Sequence, residues 1–302
     1  MNLKFEEAFK SYKEYINIRL KAQSIRAIEN RFKTNILPFW KDYNIYETTE
    51  NDYIKWQCLI ENKNYKNKYK QALHIAMVSF FNYCMKFYKL EKNIASIVGK
   101  FKDNENEEKK VDFYNIKEFK KFIKKVDNNV YKQFFNLMYF TGTRPGEAMA
   151  LKFNDLSKYQ ISINKTIDER NNRKIGTPKT KKSKRKILID KKLYKDLIKL
   201  KKEYQNTTDD YFIFGGFKPL APTTINRHKI KACEKAKIRA ITLHQFRHSH
   251  ATLLLNKKII INEISDRLGH SNVNTTLNIY THSDLRQQKR VVRTGLINFY
   301  TK

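Results

Sequence analysis

A chain of 302 residues is long enough for two domains, each with its own core. Its 40% hydrophobic and 13% aromatic content excludes a disordered tail. Its 62 Lys and Arg against 30 Asp and Glu give a formal net charge of +32, which calls for a polyanionic partner, nucleic acid first. No apolar run of about 18 residues, signal peptide or lipidation motif is present, so no membrane partner is expected and the expected location is cytoplasmic. Cys58, Cys84 and Cys233 are too widely spaced for a metal pattern or a disulfide framework and read as buried thiols of a reducing compartment.

In chain order, the first hundred residues read as helices. Phe5, Ala8, Phe9, Tyr12, Tyr15 and Ile16 repeat at helical spacing, as do Ile25, Ile28, Phe32 and Ile36, after Ser24 as a cap and before Pro38 as a stop. A longer helix from about Lys68 to Leu90 places Leu73, Ala76, Met77, Phe80, Phe81, Cys84 and Phe87 in a core. The polar stretch FKDNENEEKK at 101–110 is a linker between a domain at 1–100 and a second at 111–302. The second domain opens with helical patterns (Ile116, Phe119, Phe122, Ile123; then Phe134, Phe135, Met138). YQISINKTIDE at 158–168 alternates like a strand, RKILI at 185–189 is another, and helices resume from Pro222. Residues 1–100 hold 18 basic and 10 acidic side chains, so most of the positive field belongs to the second half.

Four separated segments there carry candidate chemistry: TGTRPGEA at 141–148, TPKTKKSKR at 177–185, LHQFRHSHAT at 243–252 and LGHSNVNTTLNIYTH at 268–282. Pro145-Gly146-Glu147 marks a helix start. The run from Arg173 to Lys186 has eight basic residues in fourteen, the pattern of a solvated, DNA-facing loop. Thr242 and Gln245 form a capping box. In the helix it opens, His244, Arg247 and His248 share one face, opposite Phe246, His250, Leu253 and Leu254. His250, among apolar side chains, reads as a satisfied core histidine. A metal reading of His244 and His248, four apart, lacks an HExxH glutamate or a Cys partner, so no metal is expected. Gly269 reads as a helix stop before His270, and Asn274 or Thr275 caps a short helix holding Tyr280, one of 18 tyrosines.

In order, type and spacing the four segments resemble the catalytic half of the tyrosine recombinases, and their wording is similar to the phage and transposon integrase branch. The resemblance covers roughly residues 111–285. It implies a mainly α, two-domain fold: a helical core-binding domain plus an α+β catalytic domain with a small antiparallel sheet. It implies Arg144 and Arg247 as catalytic arginines, Glu147 as a supporting carboxylate, and Lys179 as general acid, with Lys181 and Lys182 left open as alternatives. It further implies His244 as a hydrogen-bonding or proton-transfer partner, His270 as a phosphate contact and Tyr280 as the nucleophile. This set suits phosphodiester cleavage: planar guanidinium forks bond two phosphate oxygens and stay charged, and neighbouring cations make a phenol with a pKa of about 10 a nucleophile. No cofactor is implied.

Contacts to double-stranded DNA are expected from Arg173, Lys174, Lys181, Lys182, Lys184, Arg227 and Lys229. The last two lie on a basic amphipathic helix at 222–237, whose Ile225, Ala232, Cys233 and Ala236 face inward. The resemblance implies four protomers assembling on DNA through the C-terminal tail (Val291, Val292, Leu296, Ile297, Phe299), with accessory DNA-bending or directionality proteins as possible partners. Alternatives are a Xer-like chromosome or plasmid resolution recombinase and a type IB topoisomerase-like strand transferase. A catalytically silent DNA-binding regulator on the same fold is a third. Many members of the branch carry a further N-terminal domain, whereas this chain starts almost directly at its first helix.

Overall fold

A computed structural model describes residues 2–102, 112–168, 174–177, 181–204, 207–270 and 272, with the backbone alone at Asp168, Lys174 and Lys181. The chain divides into two compact units, Met1–Glu108 and Lys109–Lys302.

Unit 1 is helical: α1 (Phe5–Asn17), α2 (Ala22–Arg31), α3 (Leu37–Trp40), α4 (Glu50–Glu61), α5 (Asn67–Tyr88) and α6 (Ile94–Val98). The i, i+3, i+4 apolar spacing of α1, α4 and α5 drives Phe5, Tyr12, Trp56, Phe80 and Phe81 into one aromatic core. Two expectations are corrected here. α2 starts after Lys21 and not at a Ser24 cap, and Pro38 does not stop the helix. A π-helical turn at Phe32–Ile36 leads directly into α3, placing Pro38 where a missing N–H costs least. Phe87 is 48% exposed and outside the core, and Cys58 is exposed, unlike Cys84 and Cys233.

Unit 2 runs α7 (Ile116–Lys124), α8 (Asn129–Thr141), α9 (Pro145–Ala150), β1 (Leu156–Ser157), β2 (Gln160–Ile163), β3 (Thr166–Asp168), β4 (Lys174–Gly176) and β5 (Arg185–Leu188). It continues with α10 (Lys191–Glu203), α11 (Pro222–Ala236), α12 (Leu243–Asn256) and α13 (Ile261–Leu268). β1, β2 and β5 form an antiparallel sheet, with Ile161 opposite Ile187, and β3 pairs with β4 in a separate hairpin. The single strand expected over 158–168 is thus two, broken at Asn164-Lys165. There the buried Asp155 carboxylate holds the Lys165 ammonium at 2.9 Å and accepts from Asn164 Nδ2 at 3.2 Å.

The core of unit 2 packs Phe119, Phe122, Phe135 and Phe246 between α7, α8 and α12, with the Phe119 and Tyr139 rings stacked at 3.7 Å. Close approach fixes two glycines. Gly146 lets α9 lie on β3, because a Cβ there would sit 2.6 Å from Thr166 Oγ1. Gly142 ends α8 at φ +67°, and a Cβ would come within 2.5 Å of Leu268 and 2.7 Å of His250.

Candidate active site

The site is built where three chain reversals meet: the end of α8, the start of α12 and the end of α13. A helix leaves its last carbonyls without intrahelical partners and carries partial negative charge at that end. At α13 the Gly269 turn (φ +70°) satisfies two of them, His270 N donating to Ser265 O and Gly269 N to Asp266 O, both at 3.0 Å. The next three carbonyls each accept from a different arginine. Arg185 Nε donates to Arg267 O at 2.8 Å, Arg247 Nη2 to Leu268 O at 2.8 Å and Arg144 Nη2 to Gly269 O at 3.4 Å. Three distant segments are thereby tied to the turn that presents His270.

Each arginine reaches the turn for a local reason. Arg144 is the residue before Pro145, held in extended backbone at φ −69° and ψ 150°, the conformation that a following proline favours. Its backbone N–H donates to Glu147 Oε2 at 2.9 Å and its Nη1 to Glu147 Oε1 at 2.8 Å. Arg247 is carried by α12, whose Thr242–Gln245 capping box forms as expected. It is 2% exposed, and Nη1 donates to Gly142 O at 2.8 Å. Among the described residues, two N–H groups of each guanidinium are thus used on carbonyls or Glu147, which leaves three of the five. Arg185, at the start of β5, belongs to the basic run, and nothing in its local sequence distinguishes it there. Its side chain is 7% exposed and forks onto Glu147, Nη2 to Oε2 at 2.9 Å and Nη1 to Oε1 at 3.2 Å. Buried arginine could not be told from its exposed neighbours by composition alone.

Glu147 is 2% exposed between these cations. Burial pushes its carboxyl up, but the Arg185 bonds and charge, followed by those of Arg144, outweigh this and leave it below the ordinary carboxylate value. Arg247 is pushed down by burial and then by Arg144, with Glu147 pulling it back. A guanidinium starts too high to lose its proton. His270, 8% exposed, is driven down to about 3 by desolvation and then by Arg247, Arg144, His244 and His248. His244 keeps a solvent-exposed surface, yet desolvation, then His248, Arg247 and Arg144, lower it to about 4. Both imidazoles are therefore neutral at pH 7, hydrogen-bonding groups among fixed cations. His248 stacks edge-on to His244 at 5.0 Å, and its Nδ1 is buried without a hydrogen-bond partner.

Arg144, Glu147, His244, Arg247 and His270 are thus brought into one electrostatically coupled cluster. The basic segment reaches it too: the Lys182 carbonyl runs so close to Gly269 that a Cβ there would lie 2.9 Å from it. Lys179, Tyr280, Arg173 and the tail at 291–299 lie outside the described residues. Lys182 and Lys184 are exposed, and Lys174 and Lys181 are placed by backbone only. On α11 Arg227 is exposed, but Lys229 is corrected. It is 7% exposed, on the same inward face as Ile225 and Cys233. Four residues from each, it shares their side of the helix, a periodicity that its charge obscured.

His250 is a satisfied interior residue, with Nδ1 2.9 Å from Tyr139 O and Nε2 accepting from Arg267 Nε at 3.1 Å. Arg267 itself, passed over in the sequence, clamps Phe140 O and Leu188 O at 3.2 and 3.1 Å. Among the described residues no group of three metal-ligating side chains occurs, and no helix is long and apolar enough to cross a membrane.

Helices enclosing a small antiparallel sheet, with two arginines and two histidines gathered at a helix end, define the catalytic-domain class of the tyrosine recombinases. The chain belongs to the phage integrase family, whose model matches residues 109–287. It is 34% identical over 197 residues to the ICEBs1 integrase of Bacillus subtilis (strain 168), covering 61% of this chain and 54% of that protein. It is 29% identical over 253 residues to a XerC-like tyrosine recombinase of Caldanaerobacter subterraneus, covering 74% and 64% respectively. The chain thus spans less than two thirds of the length of each. The fold matches that of the Tn1549 transposon integrase, solved in complex with transposon right-end DNA. The TM-score is 0.78 at 18% identity, over 98% of this chain and all of that one.

Proposed function

We propose that the chain is a site-specific recombinase that cleaves and rejoins double-stranded DNA to integrate or excise a mobile element. The observation that carries this is the pair of arginines, Arg144 and Arg247, held with His244 and His270 at the α13 turn. Their spare N–H groups and fixed charge suit the two non-bridging oxygens of a phosphodiester, whose negative charge grows in the transition state. The neutral His270 donates or accepts a hydrogen bond there.

Tyr280, having released its phenolic proton to water, attacks phosphorus as the phenolate and the P–O5′ bond breaks, its electron pair leaving with the 5′ oxygen. Lys179 supplies the proton for that oxygen, and a 3′-phosphotyrosine remains. A 5′-hydroxyl of the partner strand then attacks phosphorus, its proton returning to the Lys179 amine, and the phenolate leaves. One phosphodiester is exchanged for another, so ATP has no role, and the guanidinium charges do the neutralising a metal does elsewhere. Unit 1 is the core-binding domain, and the exposed Lys182, Lys184 and Arg227 contact DNA phosphates. Four protomers assemble on two sites through the tail, in the cytoplasm, with DNA-bending or directionality proteins as accessories.

A nicked core-site duplex is expected to trap the protein in a detergent-resistant complex without added divalent metal, and Tyr280→Phe to abolish it. An adduct undiminished in that variant, or formed only with Mg²⁺, would overturn the mechanism.

A further inference from the structure

We propose that Arg185 is a positioning residue for strand cleavage: it sets Glu147, and through it Arg144, in register with the His270 turn. The inference rests on the recombinase reading above. Four donations from one guanidinium carry it. Two go to the carboxylate oxygens of Glu147, one to Arg267 O at the end of α13 and one to Ser183 O at 3.0 Å, in the segment that follows Lys179. Arg185 thus bonds the parts of the chain that hold the first arginine and the histidine turn, and the turn at Ser183. Among the described residues, Arg144 and Arg247 each bond two of these three. The contact with α13 is also sterically set, since Gly269 leaves room where a Cβ would meet Arg185 Cδ at 3.1 Å. No lysine can reproduce the arrangement, because an ammonium has no planar fork.

The consequence is readable through Glu147. Arg144 and Arg185 face it from α9 and β5, and Arg247 and His244 from α12. Its carboxylate accepts both the backbone N–H and the Nη1 of Arg144 only while ionised on those oxygens. With Arg185 gone, burial acts on Glu147 against Arg144 and the more distant Arg247 charge, and the carboxyl takes up a proton at a higher pH. Cleavage then falls as the solution is acidified, whereas the wild-type Glu147 stays ionised below the ordinary carboxylate range.

The test compares wild type, Arg185→Met and Arg185→Lys. It measures single-turnover cleavage of nicked duplex against pH, DNA affinity, thermal midpoint, and the Glu147 carboxyl titration by infrared difference against Glu147→Gln. Expected are unchanged affinity, cleavage slowed on the order of 100-fold, a new acidic limb, and a raised Glu147 titration in both variants, smaller in Arg185→Lys. Should Arg185→Met not fold, Arg185→Lys carries the same readouts. A wild-type pH profile and an unmoved Glu147 titration in the folded variants would overturn the proposal and leave Arg185 as packing. If the wild type forms no adduct the recombinase reading fails. The titration, which needs no activity, still decides whether Arg185 governs Glu147.

Discussion

The two units bury different things. In unit 1 the interior is aromatic, with Phe9 stacked on Phe32 at 4.2 Å and Phe5 tilted against Phe80 at 4.4 Å, and its buried polar side chains are the uncharged Asn35, Thr48 and Asn93. Among the described residues, the buried Asp, Glu, Lys, Arg and His lie in unit 2: Glu147, Asp155, Lys229, Arg247, His250 and His270, with the Arg185 side chain beside them. Removing a charge from water is costly unless it is paired and hydrogen-bonded. Unit 1 avoids that cost and makes a scaffold. Unit 2 accepts it at the α13 turn, where desolvated cations act most strongly on a bound anion.

Substitutions should separate the two designs. Phe32→Ala, in the middle of the aromatic stack, is expected to cost about 3–5 kcal/mol of stability through the cavity it leaves. Below its melting range it should keep the wild-type pH dependence of cleavage. Denaturant unfolding and single-turnover kinetics on the same samples check this. A changed pH profile would mean that the aromatic core is coupled to the charged cluster. Arg247→Ala is expected to act on the chemistry as well as on the fold. Losing a fixed cation at the reacting phosphate should slow cleavage by about 10²–10³-fold. The Gly142 and Leu268 carbonyls it leaves unpaired should cost a further ~1–3 kcal/mol each in stability unless water reaches them.

Acid should also act on unit 2 first. His250, with an ordinary value of 6.5, is held at about 3 in the fold, mainly by burial and then by Arg267. Above pH 6.5 neither state is protonated and its contribution is complete. As the pH falls below 6.5 the unfolded chain takes up a proton that the folded chain refuses. Stability then declines by about 1.4 kcal/mol per pH unit until the pH nears 3. His270 adds to the decline in the same direction, while the one histidine of unit 1, the half-buried His74, is also lowered. Hydrogen exchange at about pH 7 and about pH 5, corrected for intrinsic rates, should show α8, α12 and α13 losing protection before α1 and α5. Equal loss in both units would remove the distinction. Bound DNA should blunt the effect at His270, because a phosphate favours its protonated form.

What the sequence reveals divides along the same line. Apolar spacing exposes the aromatic helices of unit 1, and helix starts and stops mark the segments that hold Arg144, Glu147, Arg247 and His270, whose roles come from the resemblance to the tyrosine recombinases. The fork of Arg185 on Glu147 spans 38 residues and the Arg267 clamp on Phe140 spans 127. Neither leaves a periodic trace, and in a run of eight basic residues the buried guanidinium looks like its solvated neighbours. Lys229 shows the opposite failure, since its charge argued for exposure while its position on α11 fixed it inward. The π-helical turn before Pro38 escapes because proline is locally as compatible with stopping a helix as with starting a new turn.

The smallest expected effect gives the sharpest comparison, because one capping device occurs in both units. Thr49 Oγ1 accepts from Asp52 N at 3.3 Å while the Asp52 carboxylate accepts from Thr49 N at 3.1 Å, which starts α4. Thr242 and Gln245 do the same for α12, at 3.3 and 2.6 Å. Thr49→Ala and Thr242→Ala should each cost ~1 kcal/mol by loss of the cap, read as shifts in denaturation midpoint. Only Thr242→Ala should slow cleavage, because the first turn that it frays holds His244 and leads directly to Arg247. Asn or Asp at 242, which caps as well as threonine, should restore both stability and rate. If Thr49→Ala slows cleavage as much, or if Asp at 242 restores stability without restoring rate, the cap is not what aligns α12. The separation of scaffold from site would then have to be drawn elsewhere.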